Sequence, residues 1–162
     1  MKTNRAYDSG KTVKEYKRFM IRNGGNDSFL LLYKDAWTQA CVKNFPFATQ
    51  DNSLAIAFLD GVYWGIYTMM ELYDDNYIEE NLGVNADNAV MIKAGELEEG
   101  NASDYDLWDS TVKFISQNDM SVTDNYKKAS AMMDFDSFSE YVAMNVYIGN
   151  EDWVWGNWRS GV

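Results

Sequence analysis

The sequence predicts an α+β protein on three observations. β-prone and alternating segments fill roughly the first hundred residues, helical periodicities fill the rest, and Asp60-Gly61 joins two apolar runs. At 162 residues the chain supports one sizeable core. An apolar fraction of 46% with 15% aromatics belongs to an ordered protein.

Residues 1–15 are polar without period and read as a loose arm. Residues 16–21 are β-prone and end at Arg22-Asn23-Gly24-Gly25-Asn26-Asp27, where two glycines between asparagines mark a turn with positive φ. An anion could also approach that backbone, although a tight turn alone explains the glycines. Asn26, Asp27 or Ser28 can cap a helix over 29–44, with Leu32, Ala36, Trp37, Ala40 and Cys41 on a core-facing side and Pro46 beyond its end. Cys41 is the single cysteine, so no internal disulfide exists, and it reads as a small buried hydrophobe.

Residues 53–59 and 62–71 form a hairpin about Asp60-Gly61. The second strand alternates, with Val62, Trp64, Ile66 and Thr68 on one face and Tyr63, Gly65, Tyr67 and Met69 on the other. Gly65 weakens that strand unless something lies close against its backbone. Glu71 closes it as a solvated rim carboxylate.

Asp74-Asp75-Asn76 caps a helix running to Leu82, stopped by Gly83. Residues 89–93 form a strand apolar on both faces up to Lys93, which either snorkels to water or reaches a phosphate. Residues 95–100 are an acidic loop. Helices follow over 104–117, 124–133 and 137–148, the last capped by Asp136 and placing Phe138, Tyr141, Val142, Asn145 and Val146 at helical spacing. The expected division is an arm (1–15), a sheet-rich part (16–100) packed on a helical part (101–162), within one domain overall.

A net charge of −11 argues against nucleic acid and anionic membrane surfaces as partners. With no histidine, Ser-His triads and His-ligated zinc are excluded. No apolar run is long enough for a membrane span, and the polar start is no signal peptide. Residues 159–162 follow an aromatic loop with no predicted element to bury its rings, so the chain is expected to be part of something longer.

Catalysis must then rest on carboxylates, amides, Lys/Arg and metal. Asn150-Glu151-Asp152-Trp153-Val154-Trp155-Gly156-Asn157-Trp158-Arg159 offers such a set. Asp152 can accept the proton of an attacking hydroxyl, and the Asn157 amide oxygen can hold a metal that bridges phosphates. The Asp-x₄-Asn spacing is common by chance, and a tryptophan-dense loop after an apolar helix can equally be a core plug.

An ordered series gives this stretch a context. It runs from Arg22-Asn23-Gly24-Gly25-Asn26-Asp27 and Asp35, through Asp60-Gly61-Val62-Tyr63-Trp64-Gly65-Ile66-Tyr67 and Glu71, to Tyr77-Ile78-Glu79-Glu80-Asn81-Leu82-Gly83. Met91-Ile92-Lys93, Asn150-Glu151-Asp152-Trp153 and Asn157 complete it. The series resembles the CotH kinase family, atypical protein kinases first associated with bacterial spore coats. The resemblance implies an atypical kinase-like fold, ATP with Mg²⁺ or Mn²⁺ as cofactors, and phosphorylation of Ser or Thr on protein substrates.

By that resemblance Asp152 is the catalytic carboxylate and Asn157 a metal ligand. Arg22 and Lys93 are candidates for nucleotide phosphates, and Glu71 for orienting a basic residue. It also implies an extracellular or cell-surface setting. Family members continue past this loop to a second metal-binding acid and often carry proline where this chain has Val154. The chain is therefore expected to be incomplete at its C-terminus, poor at transfer alone, and prone to self-association through exposed apolar surface. Two other readings remain: a non-catalytic adhesion or glycan-binding module, and a glycosidase pairing Glu71 with Asp152.

Overall fold

β-prone segments separated by residues that accept positive φ fold back on themselves as short antiparallel ladders. The computed structural model describes residues 2–6, 12–15, 17–153 and 159–161. Among them are three small antiparallel sheets and five α-helices, an α+β arrangement. The chain divides into two compact units, 1–44 with 48–73, and 45–47 with 74–162.

In the first unit, β1 (Lys2–Ala6) pairs with β2 (Thr12–Glu15) where a loose arm was expected. β3 (Phe19–Arg22) and β4 (Asn52–Leu59) flank β5 (Val62–Glu71) in a three-stranded sheet. Asp60 (φ 50°) and Gly61 (φ 80°) make the predicted two-residue turn between β4 and β5. The alternation expected along β5 is interrupted by a bulge. Ala57 faces Gly65 while Phe58 faces Tyr63, leaving Trp64 unmatched. Gly65 sits in that bulge at φ 139°, a conformation L side chains avoid, which explains the glycine. Leu54, Ile56 and Phe58, at every second position of β4, present an exposed apolar row.

The helix expected over 29–44 is shorter. Gly24 and Gly25 both take positive φ and open a 3₁₀ turn over Gly25–Phe29, after which α1 spans Lys34–Val42. No side chain caps it; Asp27 instead pairs with Lys34 at 3.3 Å. Its sheet-facing side matches the expected one at Ala36 but not at Trp37 or Cys41. The Ala36 carbonyl accepts from Asn52, the Gln39 side chain accepts from the Gln50 N–H, and Val42 is buried. Positions 36, 39 and 42 therefore face the strip that leads into β4. Trp37 and Cys41 turn outward and are exposed, so Cys41 is not the buried hydrophobe predicted.

In the second unit, α2 (Asp75–Leu82) has the predicted ends. The Asp74 side chain accepts from Tyr77 N–H at 2.9 Å, and Gly83 takes φ 74° at the C-terminus. β6 (Met91–Lys93) has Met91 and Ile92 buried and Lys93 exposed. The residues expected as an acidic loop form β7 (Glu96–Glu99), because Ala94 (φ 50°) and Gly95 (φ 85°) supply a two-residue hairpin turn. Tyr105, on α3 (Ala102–Gln117), donates its hydroxyl to the Gly95 carbonyl at 2.7 Å and ties that turn down.

Two helices follow, α4 (Thr123–Ser130) and α5 (Phe135–Tyr147). The cap of α5 is Asp134, which accepts from Ser137 N–H at 3.0 Å, and not Asp136, which lies inside the first turn. Residues 159–161, where no element was expected, form β8 (Arg159–Gly161) beside β6. The buried apolar residues of this unit include Tyr77, Ile78, Ala89, Met91, Ile92 and Ala129. Among the described residues, no helix is long and apolar enough to cross a membrane.

The Asp74 cap supplies a direct check on α2. Asp74→Ala removes the acceptor for an orphan helix N–H and is expected to destabilise by about 1 kcal/mol, shifting the unfolding midpoint by about 2–4 °C. Thermal unfolding followed by circular dichroism measures it, and an unchanged midpoint would contradict the capping role.

Candidate functional site

The last turn of α5 determines where Asp152 stands. A helix ends cleanly when the residue after its cap takes the left-handed conformation, which glycine does without strain. Gly149 does so at φ 63°. Its N–H donates to the Val146 carbonyl at 3.1 Å, and the next N–H, of Asn150, donates to the Asn145 carbonyl at 3.0 Å. These two bonds are the Schellman closure of α5.

Asn145 adds a second hold on the same residue. Its side chain is buried, donating through Nδ2 to the Tyr141 carbonyl at 2.8 Å and accepting through Oδ1 from Asn150 Nδ2 at 2.8 Å. Asn150 Oδ1 in turn accepts from the Asp152 N–H at 3.3 Å. One buried amide thus anchors the residue that fixes the backbone of Asp152.

The far side of Asp152 is held by rings. Trp153 packs against Tyr141 with centroids 5.9 Å apart and planes at 89°, an edge-to-face contact. Tyr141 and Asn145 are four residues apart on α5 and so share one helical face. Asp152 is straddled: Asn145 acts on the residue two before it, and Tyr141 on the residue after it. Half-burial pushes the Tyr141 phenol above its ordinary range, against an opposing hydrogen bond with Asn145. Asp152 itself is exposed.

The other predicted residues lie as follows. Lys93 ends β6 in this same unit, exposed, 3.6 Å from Glu98. Register sets Glu96 opposite it on one side and Arg159 on the other. Arg22 and Glu71 belong to the first unit, on adjacent strands, with Arg22 opposite Thr68 and Phe19 opposite Glu71. Arg22 pairs with Asp35 at 2.5 Å, both partly exposed. Glu71 is not a solvated rim residue. It is 5% exposed, its carboxylate accepts from the Asp51 N–H at 2.8 Å, and its carbonyl accepts from Gln50 Nε2 at 2.6 Å. Asn157 and Val154 lie outside the described residues.

The sequence reading placed Asn145 in the helical stripe and Asn150 in the ordered series but gave neither a part in holding Asp152, and it passed over Gly149; together they build the loop. A polar residue inside an apolar helical stripe was the available signal for Asn145, and a glycine just past the stripe was the signal for Gly149.

Asn145→Ala should leave α5 intact while removing the anchor of Asn150. Losing a buried hydrogen-bonding amide costs about 1–3 kcal/mol, and amide exchange should accelerate at Asn150 and Asp152 first. Hydrogen exchange measured residue by residue tests this; unchanged protection of that loop would rule the anchor out.

The CotH kinase protein family matches residues 2–159. No curated protein and no solved structure matches the chain. The matched stretch holds the whole ordered series from Arg22 to Asn157, and the chain belongs to the CotH kinase family.

Proposed function

We propose that this chain carries the nucleotide-handling and catalytic-loop part of a kinase that transfers the ATP γ-phosphate to Ser or Thr hydroxyls of protein substrates. The observation that carries the reading is the double hold on the loop: Asp152 is held from Asn150 on one side and Trp153 on the other, yet exposed. A general base has to be oriented before its substrate arrives and reachable when it does.

Asp152 accepts the proton of the substrate hydroxyl as that oxygen attacks phosphorus. Asn157 contributes an amide oxygen to the metal. Arg22 and Lys93 are assigned to the phosphates. Both are partly exposed and paired with carboxylates, and surface pairs are worth only about 0–1 kcal/mol. An incoming phosphate can therefore compete for either cation. Glu71, buried and bonded to backbone, is assigned to holding the segment that leads into β4 and to orienting a basic group.

The donor chemistry fits the cofactor a kinase family implies. Among the described residues, no three His, Cys, Asp or Glu gather into a complete metal cage. Magnesium in phosphotransfer sites keeps several waters and takes few protein oxygens beside the phosphates, and the amide oxygen of Asn157 is a hard donor of the kind it would use. When bound, the metal nucleotide supplies the phosphoryl group and neutralises its developing charge.

A second reading, a glycan-binding or adhesion module, is favoured by the exposed rings of Trp37, Tyr63 and Trp64 in the first unit. Thermal unfolding with ATP and Mg²⁺ or Mn²⁺ separates the two, because ligand at a hundred times its Kd stabilises by about 2.7 kcal/mol. Asp152→Asn should keep that shift and, in the complete kinase, lower phosphate transfer to protein substrate by about 10²–10⁴-fold. Undiminished transfer by Asp152→Asn overturns the assignment of the base. A shift with oligosaccharide and none with nucleotide overturns the kinase reading in favour of the module.

A further inference from the structure

We infer that Phe47 is a positioning residue for Asp152, acting through the rings of Tyr141 and Trp153; the inference rests on the proposed role of Asp152. Phe47 lies far from the loop in sequence, in the three-residue segment 45–47 between α1 and β4 that belongs to the second unit. Its ring meets Tyr141 edge-on, with centroids 5.7 Å apart and planes at 80°. Tyr141 meets Trp153 in the same geometry, at 5.9 Å and 89°. Phe45 backs Phe47 at 5.6 Å, and Pro46 between them fixes its own φ.

The two holds on Asp152 differ in where they end. The polar one begins and ends within α5 and the loop, since Asn145, Asn150 and Asp152 are near neighbours in the chain. It fixes the backbone before Asp152 and nothing after it. The aromatic one leaves that stretch. Tyr141 is half-buried, and its ring makes edge-to-face contacts with both Phe47 and Trp153. Edge-to-face contacts depend on ring orientation, so the orientation of Phe47 constrains Tyr141, and Tyr141 constrains the residue bonded to Asp152.

A leucine at 47 fills much of the volume but has no ring edge or face to orient Tyr141. A tyrosine keeps both. The experiment uses protein grown with 5-fluorotryptophan, with the Trp153 ¹⁹F resonance assigned by its loss in Trp153→Phe. Phe47→Leu is expected to move or broaden that resonance in the absence of nucleotide, and Phe47→Tyr to leave it in place.

In transfer assays on the complete kinase, Phe47→Leu should lower kcat about 10- to 100-fold, as displacements near 1 Å do, with KM for ATP changed less than about twofold. Phe47→Tyr should restore kcat. If Phe47→Leu does not fold, Tyr141→Leu interrupts the same relay at its middle and must give the same result. A Trp153 resonance unmoved by the leucine variant, or a moved resonance with unchanged kcat, overturns the role of Phe47. Full transfer by Asp152→Asn overturns the underlying assignment of Asp152 instead, so the two failures are distinguishable.

Discussion

The geometry of the catalytic-type loop depends on one buried side-chain amide. Asn145 both closes α5 through its carbonyl and binds the Asn150 side chain through its own, so a single residue ends the helix and starts the loop. A leucine there would bury equally well and leave Asn150 without its side-chain acceptor. The tolerance of a buried polar residue in an otherwise apolar stripe follows from its satisfaction, since both polar atoms of its side chain have a partner at 2.8 Å. Rigid placement of Asp152 is then a consequence of helix geometry, because residues four apart present Tyr141 and Asn145 on one face.

Charge sets the second constraint. A chain with net charge −11 must offset its own field wherever a polyphosphate is to bind. Arg22 and Lys93 meet carboxylates of this chain, Asp35 and Glu98, across partly exposed pairs. Such pairs hold the cations in place without committing them, as the small net energy of surface ion pairs allows. The acidic strand β7 has a role in this arrangement: its hairpin turn places Glu98 near Lys93, and β8 brings the backbone of Arg159 opposite Lys93.

What could be read in the sequence was whatever local chemistry decides. Asp60-Gly61, the Asp74 cap and the Gly83 stop need only their own backbone preferences, and each formed as expected. Elements decided by partners were harder. Ala94-Gly95 is a less obvious turn than Asp-Gly, so β7 looked like a loop. The outward side of α1 could not be known before Asn52 and Gln50 selected positions 36 and 39. At the candidate site, Asp152 was a candidate from its sequence neighbours, but the contact of Phe47 with Tyr141 was not foreseeable, because nothing about a phenylalanine after a proline announces a tyrosine nearly a hundred residues later.

The most direct measurement of whether Asp152 lies at a metal-nucleotide site with Lys93 is paramagnetic broadening of assigned amide resonances by Mn²⁺ with a non-hydrolysable ATP analogue. Mn²⁺ broadens nuclei near it, so the pattern locates the metal without relying on turnover. The predicted result is selective broadening around Asp152 together with Lys93, abolished for both when the nucleotide is omitted. Broadening confined to other acidic segments, such as β7 or the first turn of α3, with Asp152 unaffected, would contradict it.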